Sequence, residues 1–267
     1  MPTNHAVAKS LQAETAMIFA AHPDDEVLAL GGHPEVLRKC IVVHITDGAP
    51  RAMPDRAAHS ARRRGELHAA LALAGMPAYR TIALGVIDQE TIRGLTEVTL
   101  SIERLIAAIR PATIFTHPYE GGHPDHDATA FAVAMAAERA SGARAPTILE
   151  FTSYHNGTSV SPVSTLRVGE FLRNSDTLIH EVPLSAERAA HKNAMLAFFT
   201  SQQHMICHFP VGIERFRFAP KYDFSAAPHE GTLYYEDQPW GITGRQWRRM
   251  AAEASAELAA IKPEAGI

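Results

Sequence analysis

The segment Met17-Ile18-Phe19-Ala20-Ala21-His22-Pro23-Asp24-Asp25-Glu26 joins a short apolar run to one histidine and three carboxylates. Its first four residues are typical of a strand that is buried inside a sheet. Polar side chains gathered directly after such a strand indicate a functional site rather than a simple turn.

His22 and Asp25 are suitable ligands for a catalytic zinc ion, which takes about three ligands from the protein and keeps one position open for water. If Asp25 points at the metal, its neighbour Asp24 is free to act as a general base toward the water. An acidic loop after a strand is also explained as a helix N-cap. One motif alone does not separate these two explanations.

A second cluster, His123-Pro124-Asp125-His126-Asp127, again follows an apolar run, residues 112–115. In an open parallel sheet, ligands bind outside the carboxyl ends of the strands, so two such clusters can meet at one crevice. His126 would then be a third metal ligand. His123 would face the substrate, where it stabilises a developing oxyanion or protonates the leaving amine.

The other acidic residues of the two clusters have supporting roles in this scheme. We expect Asp125 to orient a histidine and Asp127 to act as a helix N-cap. For each of the two residues, the alternative is that it is only a cap. Glu26 is expected in the first turn of the following helix, where it braces the loop.

At these residues the chain resembles the PIG-L or LmbE-like family of zinc-dependent N-acetylglucosaminyl deacetylases. The first family signature, AHPDDE, is present unbroken at residues 21–26, and the second, HPDH or HxxDH, is present at residues 123–126. Shorter stretches are similar to the family's TDG, RxxE and K…SQ segments. They lie at residues 46–48, at 63–66, and at Lys192 with 200–202.

Carried over position by position, the resemblance implies a metal site made of His22, Asp25 and His126. It also implies that Asp24 is the general base and that His123 assists at the oxyanion or the leaving group. The implied cofactor is one zinc ion per chain.

Two departures from the family pattern concern the surroundings of the site. The crossover after Glu26 is short, so that only residues 34–38 or so can form a helix, with Pro34 tolerated at its first position. Residues 49–51 replace the acidic residue that usually follows the TDG segment. This departure changes the rim of the pocket and leaves the identity of the substrate open, but not the metal chemistry.

Apolar runs and helical patterns alternate along the first half of the chain, which is the signature of a parallel sheet with crossover helices. Strands are predicted at residues 16–21, 40–45, 81–84, 113–116 and 147–152, and helices at 56–75, 95–109 and 128–140. The fold class is therefore α/β, with a Rossmann-like, mostly parallel sheet flanked by helices. HPDDE stands where a dinucleotide-binding fold would carry GxGxxG.

The pattern weakens beyond residue 152. The sequence predicts a loop at 157–165, a strand at 176–182, and helices at 186–203 and 243–261. The stretch 209–244 looks irregular and is expected to form a lid or an oligomer contact. We expect this C-terminal portion to form part of the pocket.

The composition fits a single domain, because 267 residues with 46% apolar content can bury a sizeable core. We therefore expect one α/β deacetylase domain over residues 1–267. Its Rossmann-like core with the metal site covers 1–152, and a C-terminal elaboration covers 153–267. A net charge of -4 argues against nucleic acid as a partner, since binding its phosphates requires a basic surface.

Cysteine usage and hydropathy point to a soluble protein from a reducing compartment. The cysteines are Cys40 and Cys207, without CxxC spacing. The sequence shows no apolar stretch of about 18 residues and no signal-peptide core. We therefore expect a cytoplasmic protein without an integral membrane segment, and homo-oligomerisation stays open.

Four further residues are candidates for substrate contact. Asp47 and Arg63 lie in segments that resemble family motifs, and Arg63 either meets an anionic substrate group or belongs to a solvated helix face. His117 and Tyr154 follow the fourth and fifth predicted strands, where each either reaches the pocket or serves the structure. The HMICH stretch, 204–208, has metal-like spacing but no fourth partner.

Three functions are compatible with these observations. The first is zinc-dependent hydrolysis of the acetamide of an N-acetylated sugar or glycoconjugate, of the N-acetylglucosamine type. The second is the same chemistry on another small amide, such as a conjugated thiol metabolite. The third is a nucleotide-binding or regulatory module whose acidic loop holds Mg²⁺. Paired histidines favour zinc, because magnesium prefers oxygen ligands.

Overall fold

A mixed sheet forms the centre of the chain in the computed structural model, which describes residues 4–13, 15–140, 145–157, 166–172 and 177–263. In these residues the sheet has seven strands, in the order β3-β2-β1-β4-β5-β9-β8, and β6 pairs with β7 in a separate ribbon. The strands are β1 (Ala16–Ala20), β2 (Ile41–Pro50), β3 (Thr81–Asp88), β4 (Thr113–Thr116), β5 (Thr147–Phe151), β6 (Tyr154–Asn156), β7 (Leu166–Val168), β8 (His180–Pro183) and β9 (Ile213–Phe218).

Helices cover both faces of the central sheet. They are α1 (Asn4–Leu11), α2 (Asp25–Leu30), α3 (Pro34–Leu37), α4 (Arg56–Leu73), α5 (Leu95–Ile109), α6 (Pro124–Ala140), α7 (Ala186–Leu196), α8 (Gln203–Ile206) and α9 (Gly244–Ala260). Short 3-10 turns lie at Ala78–Arg80, Thr91–Gly94, Thr200–Gln202 and Tyr234–Asp237. None of the helices in the described part of the chain is both long and apolar enough to cross a bilayer.

Strand β1 is apolar throughout because both of its faces are covered. Met17 and Phe19 pack into the hydrophobic cluster on one side of the sheet, and Ile18 and Ala20 pack into the cluster on the other. Successive side chains of a strand point to opposite faces, so a strand between two helical layers needs no polar residue. This explains why apolar runs alone located the parallel strands.

The five predicted parallel strands are confirmed, and their order places the two motifs together. Strand β1 pairs in parallel with β2 through Ile18 and Val42 and with β4 through Ile18 and Phe115. The chain order therefore changes direction between β1 and β4, which is where an open α/β sheet forms a ligand crevice. Both motif loops leave the sheet at this point.

The prediction that residues 209–244 are irregular is wrong for strand β9, which extends the sheet. It pairs antiparallel with β5 through Phe216 and Phe151, and with β8 through Phe216 and His180. Its sequence, IERFRF, is not a continuous apolar run, and so it did not predict a buried strand. Two of its charged side chains are nevertheless buried, because each forms an ion pair. Glu214 meets Lys192 at 2.9 Å, and Arg217 meets Glu150 at 2.7 Å.

Several element boundaries differ from the prediction. Helix α6 begins at Pro124, so the second motif forms its first turn, where acidic residues favour the helix N-terminus. The helix predicted at 186–203 divides into α7, a 3-10 turn and α8. The strand predicted at 176–182 begins later, since β8 covers His180–Pro183. Residue 176 and residues 158–165 of the predicted loop lie outside the described residues.

We expect Phe216→Ala to lower the free energy of unfolding by about 3–5 kcal/mol, because it leaves a cavity in a closed core. Phe216 is fully buried, and its ring centroid lies 6.0 Å from that of Phe115. Urea denaturation measures the loss. The matched control is Tyr79→Ala, at an aromatic side chain that is 80% exposed. A loss below about 1 kcal/mol would contradict the placement of β9 in the core.

Candidate active site

Three side chains from the two motif loops converge beyond the ends of β1 and β4. His22 Nδ1 lies 3.2 Å from His126 Nε2, although 104 residues separate them in sequence. Asp25 completes the triangle, with Oδ2 at 3.6 Å from His22 Nδ1 and Oδ1 at 3.7 Å from His126 Nε2. The sequence predicted this convergence.

The separations in this triangle are close to those between metal ligands, with a different Asp25 oxygen nearest to each histidine. Ligands about 2.1 Å from a tetrahedral ion lie about 3.4 Å from each other, and the three separations here are 3.2, 3.6 and 3.7 Å. Burial alone would raise the pKa of Asp25, but His117 and His126 hold it well below its usual range. The donor set therefore combines an ionised carboxylate with two imidazoles, which suits a divalent cation.

Other donor sets overlap with this triangle. Among the described residues, donor atoms gather in three sets, which are His22 with His123 and His126, His22 with Asp88, His123 and Asp125, and Asp25 with His117 and His126. The whole buried cluster thus fits a metal ion.

The side chain of Asp88 was not predicted, although it contacts a candidate ligand directly. Its Oδ1 lies 3.1 Å from His22 Nε2, on the ring edge that faces away from the triangle. Asp88 ends β3, and the rule that strand ends meet at one sheet edge could have found it. Ser153 Oγ likewise lies 2.8 Å from His126 Nδ1. Such partners fix the ring orientation and tautomer of a metal-binding histidine.

The two acidic residues of the second motif have different surroundings. Asp125 accepts hydrogen bonds from the backbone N–H groups of Gln89 and Thr91, at 2.6 and 3.0 Å. Its Oδ2 also lies 3.4 Å from His22 Nε2, as expected of a histidine partner. Asp127 is not the N-cap of α6, as one interpretation had it, but lies in the first turn of that helix. It accepts from Glu120 N and Gly121 N, and burial raises its pKa to about 8.

Asp24 occupies a position suited to proton transfer beside the triangle. Arg63 Nη2 donates to its Oδ2 at 3.2 Å and to the carbonyl of Pro23 at 3.0 Å. Burial raises the pKa of Asp24 to about 7, against the opposing charge of Arg63. A group that titrates near neutral pH can both accept and return a proton. Glu26 braces the same loop by accepting from Asp24 N at 3.2 Å.

His123 is prepared to donate a hydrogen bond from Nε2. Its Nδ1 accepts from the backbone N–H of Asp125 at 3.1 Å, so the proton of the neutral ring lies on Nε2. Burial lowers the pKa of His123 to about 4, with a further contribution from His22. The ring is therefore neutral at pH 7. It packs against Trp240, with a distance of 4.5 Å between ring centroids.

The cluster lies at the base of a cleft with a volume of about 300 Å³. Arg63 and Tyr154, both predicted as substrate residues, line it, and Tyr154 packs on the edge of His126. The C-terminal portion contributes a whole side of the cleft, which local motifs could not reveal. These lining residues are Ser201, Gln202, His204, Met205, Ile206, Phe209 and Trp240.

The structure does not bring the other two predicted substrate residues to this cleft. His117 is fully buried, with Nε2 at 3.1 Å from Asp25 Oδ2 and its ring stacked on His126. Asp47 pairs with Arg56 and accepts from Ala49 N. In the TDG segment, packing requires the glycine. Gly48 adopts a φ of 64°, and a Cβ there would come within 3.1 Å of the Arg63 guanidinium.

The fold resembles that of known deacetylases and of a hydratase. Teicoplanin deacetylase Orf2, in a zinc-inhibited form, has a TM-score of 0.55 at 16% identity, covering 78% of this chain and 99% of that one. The A40926 pseudoaglycone deacetylase Dbv21 has a TM-score of 0.56 at 17% identity, covering 79% and 99%. GalB, the 4-carboxy-2-hydroxymuconate hydratase from Pseudomonas putida, has a TM-score of 0.53 at 13% identity, covering 79% and 98%. These likenesses establish the fold alone.

No curated protein matches the sequence. A family model does match it over residues 17–137, and its description is PIG-L, GlcNAc-PI de-N-acetylase. This range contains both motif loops and every donor of the candidate metal site. Residues 17–137 are therefore similar to the PIG-L domain family.

Proposed function

We propose that the protein is a zinc-dependent N-deacetylase that hydrolyses the acetamide of an N-acetylglucosamine-type substrate to acetate and a free amine. The observation that carries the proposal is the triangle of His22, Asp25 and His126 with Asp24 beside it. In this assignment these three residues hold one zinc ion, and the sugar or glycoconjugate enters through the cleft. The cytoplasmic location and the single-domain organisation remain predictions.

The triangle is favoured over the overlapping donor sets by the contacts that orient its two histidine rings, whereas Asp25 Oδ2 also contacts His22 N at 2.7 Å and His117 Nε2 at 3.1 Å. The opposite nitrogens of His22 and His126 face Asp88 and Ser153, which orient the rings. In the set of His22, Asp88, His123 and Asp125, both oxygens of Asp125 already accept backbone N–H groups. In the set with His117, its Nε2 lies 3.1 Å from Ala21 N as well as from Asp25.

A divalent ion in this position would supply Lewis acidity, which polarises a carbonyl and lowers the pKa of water. Asp24 accepts the proton of the attacking water, and Arg63 keeps the Asp24 carboxylate aimed at the triangle. His123 donates its Nε2 proton as a hydrogen bond to the developing oxyanion. Because His123 is neutral, Asp24 is the group that returns a proton to the leaving amine.

The same residues would cleave another small amide, since nothing in the proton transfers depends on a sugar. Release of acetate from a panel of N-acetyl sugars and N-acetyl amino compounds separates these substrates. A metal-binding module without catalysis would bind zinc and release no acetate. A hydratase would convert none of these amides.

We expect His126→Ala to weaken zinc binding by about 100-fold or more, because it removes one of three ligands. Competition with a chelating dye measures the affinity. The matched control is His204→Ala, which removes a cleft histidine that belongs to none of the donor sets. Equal zinc affinity in the two variants would exclude His126 as a ligand.

We expect Asp24→Asn to keep its zinc but to lower kcat/KM for acetate release by about 10²–10⁴-fold, because the amide cannot take the proton. The metal content and the rate are measured on the same preparation. Asp237→Asn makes the same change at an exposed carboxylate and should keep the full rate. Wild-type turnover by Asp24→Asn would rule out its role as base.

A further inference from the structure

A second concavity lies between α6 and β5, apart from the active-site cleft. We call it the α6–β5 groove, and the residues that define it are Thr116, His117, Met135, Ile148, Tyr222 and Phe224. Its volume is about 640 Å³, which is within the usual range for small-molecule sites. Of the described residues, none lines both this groove and the cleft. A ligand in the groove would therefore not compete with the substrate for space.

The groove forms where the helical layer gives way to irregular chain. Ile148 and Glu150 of β5 share a face of the sheet, because alternate residues of a strand point the same way. Ile148 packs against the cluster that α5 and α6 complete. Glu150 instead meets Arg217 of β9 at 2.7 Å. The segment after β9, residues 219–224, lines this end of the sheet without forming a helix or strand.

The walls of the groove keep apolar surface that a ligand can cover. Met135 on α6, Ile148 on β5, and both Tyr222 and Phe224 after β9 are only half-buried. The rings of Tyr222 and Phe224 lie 5.5 Å apart between centroids. Tyr222 donates its hydroxyl hydrogen bond to Glu150 at 2.7 Å, which fixes its ring. The walls are therefore formed in advance, and they suit a flat apolar body.

The floor of the groove contains two buried polar groups without a partner. Thr116 ends β4, and His117 follows it. Among the described residues, neither Thr116 Oγ1 nor His117 Nδ1 has a hydrogen-bond partner, and both residues are at most 2% exposed. Native proteins pair nearly all buried polar groups, so two unpaired ones in one floor require an explanation. A polar group on a bound molecule would pair both.

The surroundings of His117 indicate which polar group this would be. Its Nε2 lies 3.1 Å from both Ala21 N and Asp25 Oδ2. If Nε2 accepts from Ala21, the proton of the neutral ring is on Nδ1, and if Nε2 donates to Asp25, Nδ1 carries a lone pair. A hydroxyl group both donates and accepts. It therefore pairs with Nδ1 in either case, and the Thr116 hydroxyl can rotate to complete its contacts.

The charges near the floor favour a neutral molecule. Arg217 lies 2.9 Å from Glu120 and 2.7 Å from Glu150, so the buried group has one negative charge in excess. This excess would repel an anion. Both oxygens of Glu150 already accept hydrogen bonds, which leaves a cation without a free carboxylate oxygen on it. The exposed residues of the groove, Glu138 and Lys221, have opposite charges.

We propose that the α6–β5 groove binds a small neutral aromatic molecule that carries a hydroxyl group. The hydroxyl pairs with Thr116 and His117, and the ring lies against Met135 and Phe224. This site is separate from the proposed deacetylase reaction, and its test does not use that reaction. The ring of His117 stacks on that of His126 at 4.0 Å, so the occupant lies one side chain away from a proposed zinc ligand.

Equilibrium dialysis of the intact protein with 2-naphthol tests the proposal. We expect a dissociation constant below about 1 mM, as usual for a molecule of this size in a preformed apolar site. The matched probe is 2-naphthoate, which has the same ring system but a charged carboxylate. It should bind at least about tenfold more weakly, because its charge would be buried without a partner. No binding of 2-naphthol, or equal binding of both probes, would overturn the proposal.

A variant of the floor tests the hydroxyl contact. Thr116→Val replaces an unpaired hydroxyl by a methyl group of similar shape, so the fold should be kept, and thermal unfolding checks this. We expect 2-naphthol to bind about 5–10-fold more weakly and 2-methylnaphthalene, which lacks the hydroxyl, to bind as before. Thr91→Val removes another buried, unpaired hydroxyl outside the groove and should change neither affinity. Equal losses in the two variants, or for the two probes, would contradict the contact.

A second pair of variants locates the probe. Ala134 lines the groove from α6 and is half-buried, so Ala134→Leu should fill the space and weaken both naphthalene probes by about tenfold. Met205→Gln changes the active-site cleft and should leave both affinities unchanged. The reverse result would place the probe in the cleft and reject the groove. A sedimentation coefficient that falls in Ala134→Leu would show that a second copy of the chain covers the groove, which also rejects the proposal.

Discussion

Strand β1 pairs in parallel on both of its sides, and the candidate metal site depends on this double pairing. Its register with β2 and β4 sets the carboxyl ends of these strands beside each other, so that the loops after β1 and β4 begin at nearly the same height. A shift of one residue would turn every side chain of β1 to the opposite face. The apolar layers on both faces make such a shift costly, and the sheet thereby fixes the spacing of His22 and His126 before any metal binds.

The same region carries a concentration of charge, since the carboxylates of Asp24, Asp25, Asp88 and Asp125 are all buried there. Each of them has an identified partner: Arg63 for Asp24, His117 for Asp25, His22 for Asp88, and two backbone N–H groups for Asp125. Removing a partner from a buried charge is strongly destabilising. A divalent cation in the triangle would add a further partner for the Asp25 carboxylate.

The sequence predicted the features of the fold that depend on neighbouring residues. It did not predict the features that depend on contacts between residues far apart in the chain. Buried parallel strands are continuous apolar runs, and so β1 to β5 could be read directly. Strand β9 was missed because Glu214 and Arg217 interrupt the run, and only the structure shows that Lys192 and Glu150 neutralise them. Asp88 ends a strand without belonging to a motif. Asp47 belongs to a segment that resembles a family motif, but its side chain accepts a hydrogen bond from Ala49 N in the turn at Gly48. Sequence similarity does not distinguish such a structural role from contact with a substrate.

Helix α4 holds two different parts of the cleft with side chains one turn apart. Arg63 donates to Asp24 Oδ2 at 3.2 Å, in the loop after β1. Glu66 accepts from Ser201 N at 2.9 Å and from Ser201 Oγ at 2.5 Å, on the C-terminal side of the cleft. Both sides of the cleft are therefore fastened to one helix, and a displacement of α4 would move them together.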